Sequence, residues 1–144
     1  MVSKTFAMDA ATGLIKRELG SAALTSDGYV GTQHDQGAAV LTDMLCRIII
    51  EAVDVAGGDE RYAFRIIGSN VSDRSDGQIL AMMEVGDAAA VPIETVDAAA
   101  GQVVDIRFRT ERDNTAFRYV DLHLDGTGST FSITFGAYIT KEIC

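Results

Sequence analysis

Residues 102–124, QVVDIRFRTERDNTAFRYVDLHL, decide how the whole chain is read. In the first eight residues Val104, Ile106 and Phe108 alternate with Val103, Asp105, Arg107 and Arg109. That is the period of two of a strand with one face buried. In the last eight, Val120, Leu122 and Leu124 alternate with Tyr119, Asp121 and His123. Between them lies TERDNT, where Asp and Asn favour a turn. The charges Arg109, Glu111, Arg112, Asp113, Arg118 and Asp121 therefore mark a connection between two strands. They do not fall at the spacing of a known catalytic motif.

The same alternation runs outward in both directions. STFSITFGAYIT (129–140) places Phe131, Ile133, Phe135, Ala137 and Ile139 on one face. CRIIIEAVDV (46–55) sets Ile48, Ile50 and Ala52 against Arg47 and Glu51. RYAFRIIGS (61–69) sets Tyr62, Phe64 and Ile66 inward, and QILAMMEV (78–85) does the same with Ile79, Ala81, Met83 and Val85. AGGDE, SDRSDG, DAAAG and DGTGS punctuate these runs with turn residues. Strands at this spacing predict an all-β fold, a two-sheet antiparallel sandwich or jelly roll. Residues 45–144 form its core. Residues 1–44 supply an extended N-terminal arm and the first strand or strands. FAMDAATGLIKREL reads either as a short amphipathic helix or as a strand, and Pro92 suits an edge strand or a connection.

Bulk properties narrow the function. The 144 residues suit a single domain, with 47% hydrophobic and 23% charged residues. A net charge of −9 repels phosphate, so nucleic acid is not an expected direct ligand. No apolar run reaches the ~18 residues of a membrane helix, and no cleavable signal is read at the start. Cys46 and Cys144 make no disulfide framework; Cys46 reads as a small buried hydrophobe.

Chemical motifs are weak. His34–Asp35 and His123–Asp125 lack metal-ligand spacing, and His123 falls at solvent parity. Asp73 and Asp76 in SDRSDG lack the rest of a calcium loop. Ser69 lacks a nucleophile elbow, and no phosphate-binding glycine loop occurs. Glu84, Glu94, Asp105 and Asp121 could form a carboxylate pair only by folding together, and each sits at an outward or loop position. The chain is therefore read as a non-enzyme without cofactor or metal. Phe117 and Tyr119 lie opposite the aliphatic face of their strand. They close the end of the core or meet a partner.

GDERYAFRIIGSN (58–70), GDAAA (86–90), AAAGQVVDIRFRTERDNTAFRYVDLHL (98–124) and FSITFGAYIT (131–140) together resemble the capsid cement, or decoration, proteins of tailed bacteriophages. The resemblance covers about residues 45–140 and consists of strands and turns, with no catalytic signature. It implies a jelly-roll protein made in the host cytoplasm and carried on the outer capsid surface of the virion. It implies that the major capsid protein is the partner and that the chain forms a homo-oligomer, a trimer in such proteins. Glu111, Arg112, Asp113, Phe117 and Tyr119 are then the residues expected at an interface with capsid or sister subunit. A carbohydrate-binding jelly-roll module, or a tail or receptor-binding accessory protein, is the alternative. The lack of Trp and of a tyrosine stripe weighs against a sugar platform.

Overall fold

The structure is a computed structural model that describes residues 14–91 and 96–141. Ten strands follow in chain order: β1 (Ile15–Arg17), β2 (Gly28–Asp35), β3 (Asp43–Val53), β4 (Arg61–Ser69), β5 (Gln78–Gly86), β6 (Val103–Arg109), β7 (Glu111–Arg112), β8 (Thr115–Ala116), β9 (Tyr119–Thr127) and β10 (Ile133–Lys141). Among the described residues there is no helix. One sheet has the order β1-β10-β3-β6, the other β2-β9-β4-β5, and β7-β8 form a separate hairpin. Each of these strand pairs is antiparallel. Without the two-residue strands β7 and β8, this is the strand order of an eight-stranded jelly roll.

The sheets face each other through the residues whose alternation marks them. Tyr62, Phe64, Ile66, Val120, Leu122 and Leu124 meet Ile48, Ile50, Ile106, Phe135 and Ile139, all buried in one cluster. Phe64 and Phe135 stack edge to face across the layers, with ring centroids 5.1 Å apart. Each such side chain contributes roughly 1.5–3 kcal/mol by leaving water. Tyr62 also places its hydroxyl, which donates to the Asp54 carbonyl at 2.6 Å. Cys46 sits inside this core, where burial pushes its thiol up to about 12.

Register shifts move several side chains from their expected faces. A shift between Ile66 and Ile67 inserts an extra residue in β5. Leu80 thus packs on the core, while Ile79 turns out and is 39% exposed. A shift between Thr134 and Phe135 likewise exposes Ala52. His34 is buried. Asp121 lies at outward parity, as its position requires, yet it is buried rather than solvated.

The N-terminal stretch contributes two strands. Ile15–Arg17 pairs with β10, so these residues take the strand rather than the helix alternative. Gly28–Asp35 pairs with β9. Gly31 lets the two strands approach: its φ is 74°, and a Cβ there would lie 2.2 Å from the Lys16 carbonyl oxygen. Pro92, Glu94 and Cys144 lie outside the described residues.

Candidate interaction surface

The β6–β9 connection turns Thr110, Glu111, Arg112 and Arg118 to partners within the chain and leaves Asp113 in water. Thr110 begins it, fully buried. Its hydroxyl donates to the Val40 carbonyl at 2.7 Å and accepts the Thr42 amide at 2.7 Å. β7 and β8 then form a tight hairpin around Asp113 and Asn114, whose φ values are 51° and 63°. Two successive positive φ angles are the signature of a type I′ turn, and Asp and Asn are the non-glycine residues that tolerate it. Glu111 accepts the Asn114 amide at 2.8 Å. Arg112 donates to the Ile79 carbonyl at 2.9 Å. Asp113 stays mostly in water, 3.7 Å from Arg112.

The two aromatic candidates separate. Phe117 is 1% exposed, so it is not available on the surface for a partner. Its ring closes against Gly68, where an added Cβ would come within 2.9 Å of it. Tyr119 is half-buried, and the Arg118 guanidinium lies 5.0 Å from its ring centre. Arg118 also donates to both oxygens of Asp35, at 2.7 and 2.9 Å. That pairing, first, and the Gly37 amide, second, hold the Asp35 carboxyl down at about 2.

Asp121 is the centre of a larger network. Arg74, from the β4–β5 turn, donates to both its oxygens at 2.9 and 3.0 Å, and Gln33 donates at 2.9 Å. Arg74 also lies 4.2 Å above the ring of Tyr29, which packs edge-on to His123. Beneath them Lys16 reaches from β1 across to the other sheet. Its ammonium donates to the carbonyls of Thr32 at 2.7 Å and Val120 at 3.1 Å. Burial lowers the Lys16 pKa from 10.5 to about 8, against the opposing pull of Asp121.

Of the carboxylates that could have formed a catalytic pair, Glu84 pairs with Arg61 and Asp105 pairs with Arg47. Among the described residues no group of three His, Cys, Asp or Glu side chains is placed to hold a metal ion.

Charge is segregated between the ends of the sandwich. The β1–β2, β3–β4, β5–β6 and β9–β10 loops gather at one end. Their described residues include Glu18, Asp27, Asp54, Asp59, Glu60, Asp87 and Asp97, and their sequence holds no Lys or Arg. At the opposite end Asp73, Asp76, Glu111 and Asp113 are interleaved with Arg74, Arg112 and Arg118. Glu60 anchors the acidic end. It is fully buried and accepts the Thr130 hydroxyl at 2.5 Å, the Gly57 amide at 3.0 Å and the Thr130 amide at 3.2 Å. The Thr130 hydroxyl bond is the largest cause that holds its carboxyl below the ordinary value. A shallow recess of about 460 Å³ opens beside it, lined by Ala52–Ala56 and Ser132.

Sequence reasoning missed the roles of Lys16, Arg74 and Glu60, since each depends on contacts between distant elements. The absence of Lys and Arg from four loops was visible in the sequence, but their gathering at one end follows only from the topology.

No family model matches the chain, and no curated protein matches it significantly. Among solved structures it is similar to the N-terminal module pair, CBM22-1 with GH10, of Clostridium thermocellum endo-1,4-beta-D-xylanase 10B complexed with xylohexaose. The identity is 13% and the TM-score 0.40, over 87% of this chain and 26% of that one.

Proposed function

We propose that this chain is a structural virion protein that binds the outside of a capsid and stabilises it by bridging major capsid protein subunits. The observation that carries the reading is the one-sided charge. An end whose loops hold carboxylates and no Lys or Arg, with Arg61 at its margin tied to Glu84, favours a basic surface and repels a second copy of itself, which orients the molecule on its partner. The interleaved charges of the opposite end carry both signs, so that end offers no surface of a single sign. The resemblance of the strand and turn sequences to capsid cement proteins supplies the kind of partner. A protein that binds assembled shell and not separate subunits stabilises the shell by mass action. Several modest contacts per shell site add through avidity. Cosedimentation with assembled heads and with dissociated major capsid protein tests this. Saturable binding to heads alone is expected; equal binding to both, or to neither, overturns the reading.

A further inference from the structure

Glu60, the last residue of the β3–β4 loop, carries a charge that its surroundings do not balance. The residue is 0% exposed. Two amides and a hydroxyl donate to its Oε1, which favours the ionised carboxylate. Its Oε2 is enclosed too, and has no hydrogen-bond partner among the described residues. Among those residues no ion pair includes Glu60, Asp59 or Asp54. A buried carboxylate in this condition is costly to keep unless a positive charge meets it.

Its neighbours sharpen the conflict. The Thr130 hydroxyl lies 2.5 Å from Glu60 Oε1 and 2.9 Å from Asp54 Oδ1. A hydroxyl has one proton to donate, so one of these carboxylates faces the Thr130 oxygen with no proton between them. Asp59 joins the group through Ser129, whose amide and hydroxyl both donate to its Oδ1, at 3.1 and 2.9 Å. Glycine makes this closeness possible. A Cβ on Gly57 would lie under 3.0 Å from each of Glu60 Oε1, Ser129 Oγ and Asp59 Oδ1, so three oxygens from three residues converge on one point. A Cβ on Gly128 would strike the Cα and Cγ of Glu60.

From this arrangement we infer that Glu60, Asp59 and Ser129 hold a calcium ion, with Asp54 beside it. Every donor is a hard oxygen, and no nitrogen or sulfur ligand stands among them, which suits calcium rather than zinc or copper. Such a site draws on two carboxylates, fewer than a cluster of three, and completes calcium's shell of roughly six to eight oxygens with hydroxyl, carbonyl and water. The ion gives Glu60 Oε2 the partner it lacks and relieves the repulsion at Thr130. It also ties the β3–β4 loop, through Asp59 and Glu60, to the β9–β10 loop, through Ser129. Glu18, Asp27, Asp87 and Asp97 keep this end acidic with the ion in place. The site does not depend on what the acidic end docks against.

Calcium chloride titrated into protein stripped with EDTA tests the site, by calorimetry and by thermal melting. One calcium per chain should bind, with a rise in melting temperature, and magnesium should bind at least about tenfold more weakly. Asp59 is exposed, so Asp59→Asn should fold as the wild type does and melt with it in EDTA. It should nevertheless bind calcium at least about tenfold more weakly. Glu60→Gln should lose the calcium-dependent rise altogether. A wild type that neither binds calcium nor melts higher in it, or an Asp59→Asn variant with unchanged affinity, would overturn the site. Head binding and its accompanying melts are measured in EDTA, so the capsid reading stands or falls in a separate experiment.

Discussion

Lys16 carries an ammonium group into a place that few lysines occupy. At 3% exposure, with two carbonyl acceptors, it ties β1 to the opposite sheet. Its pKa is lowered in the folded state, so above pH 8 the unfolded chain holds the proton that the folded chain has released. Stability from this group therefore rises with pH between about 8 and 10.5. Cys46 works in the opposite direction above its ordinary value of 9.0, since burial keeps its thiol protonated. Comparison with Lys16→Met isolates the lysine. The unfolding free energy of the wild type, measured by urea at pH 7.5, 8.5 and 9.5, should gain on that of the variant as pH rises; a constant difference would show that Lys16 is not desolvated. Asp121 sits in the same network, and its removal strands Arg74 and Gln33 without their acceptor. Asp121→Ala should cost about 2–4 kcal/mol in denaturant melts, toward the range for breaking a buried pair. A cost under ~0.5 kcal/mol would place the carboxylate in water after all.

Elements differ in how plainly the sequence announces them. β4 begins and ends at Arg61 and Ser69, where the alternation and its flanking turns place it. The strict alternation of β6 and the inward residues of β10 are equally direct. β2 is legible only in hindsight, because Gly28, Gly31 and small polar residues give it no regular apolar face. Its strand state comes from pairing with β9, a long-range contact that no local pattern contains. The faces of Ile79 and Ala52 were misassigned for a related reason: a single inserted residue reverses parity, and alternation alone does not locate it. The candidate site was less legible still. TERDNT announces a turn, but the burial of Phe117 depends on the absence of a side chain at Gly68. Two substitutions test these elements by thermal or denaturant unfolding. Phe135→Ala should lose about 3–5 kcal/mol, since the ring is wholly enclosed between the sheets. Asn114→Gly should gain up to ~1 kcal/mol by relieving a positive φ in the β7–β8 turn. A loss there would mean that the Asn side chain, rather than its backbone angle, matters to the hairpin.

The described residues form a two-layer sandwich with unlike ends. On the proposed capsid reading the acidic end meets a basic partner surface and the opposite end is left outward. Attraction of this kind is screened over about 8–10 Å at 0.1–0.15 M salt. Binding to heads should therefore weaken as salt is raised, and should weaken again in Asp54→Asn/Asp59→Asn/Asp97→Asn, with little change in thermal stability. Salt-independent binding would assign the contact to apolar surface instead. The hairpin of Glu111, Arg112 and Asp113 lies at the other end, so Arg112→Ala should leave head binding within about twofold of wild type, as suits a group bonded to its own chain. The most direct measurement is an electron cryomicroscopy reconstruction of heads decorated with the protein. It should show density on the outer surface spanning neighbouring capsid subunits, with the β3–β4, β5–β6 and β9–β10 loops against the shell. Undecorated heads, or molecules seated by the β7–β8 end, would contradict the account.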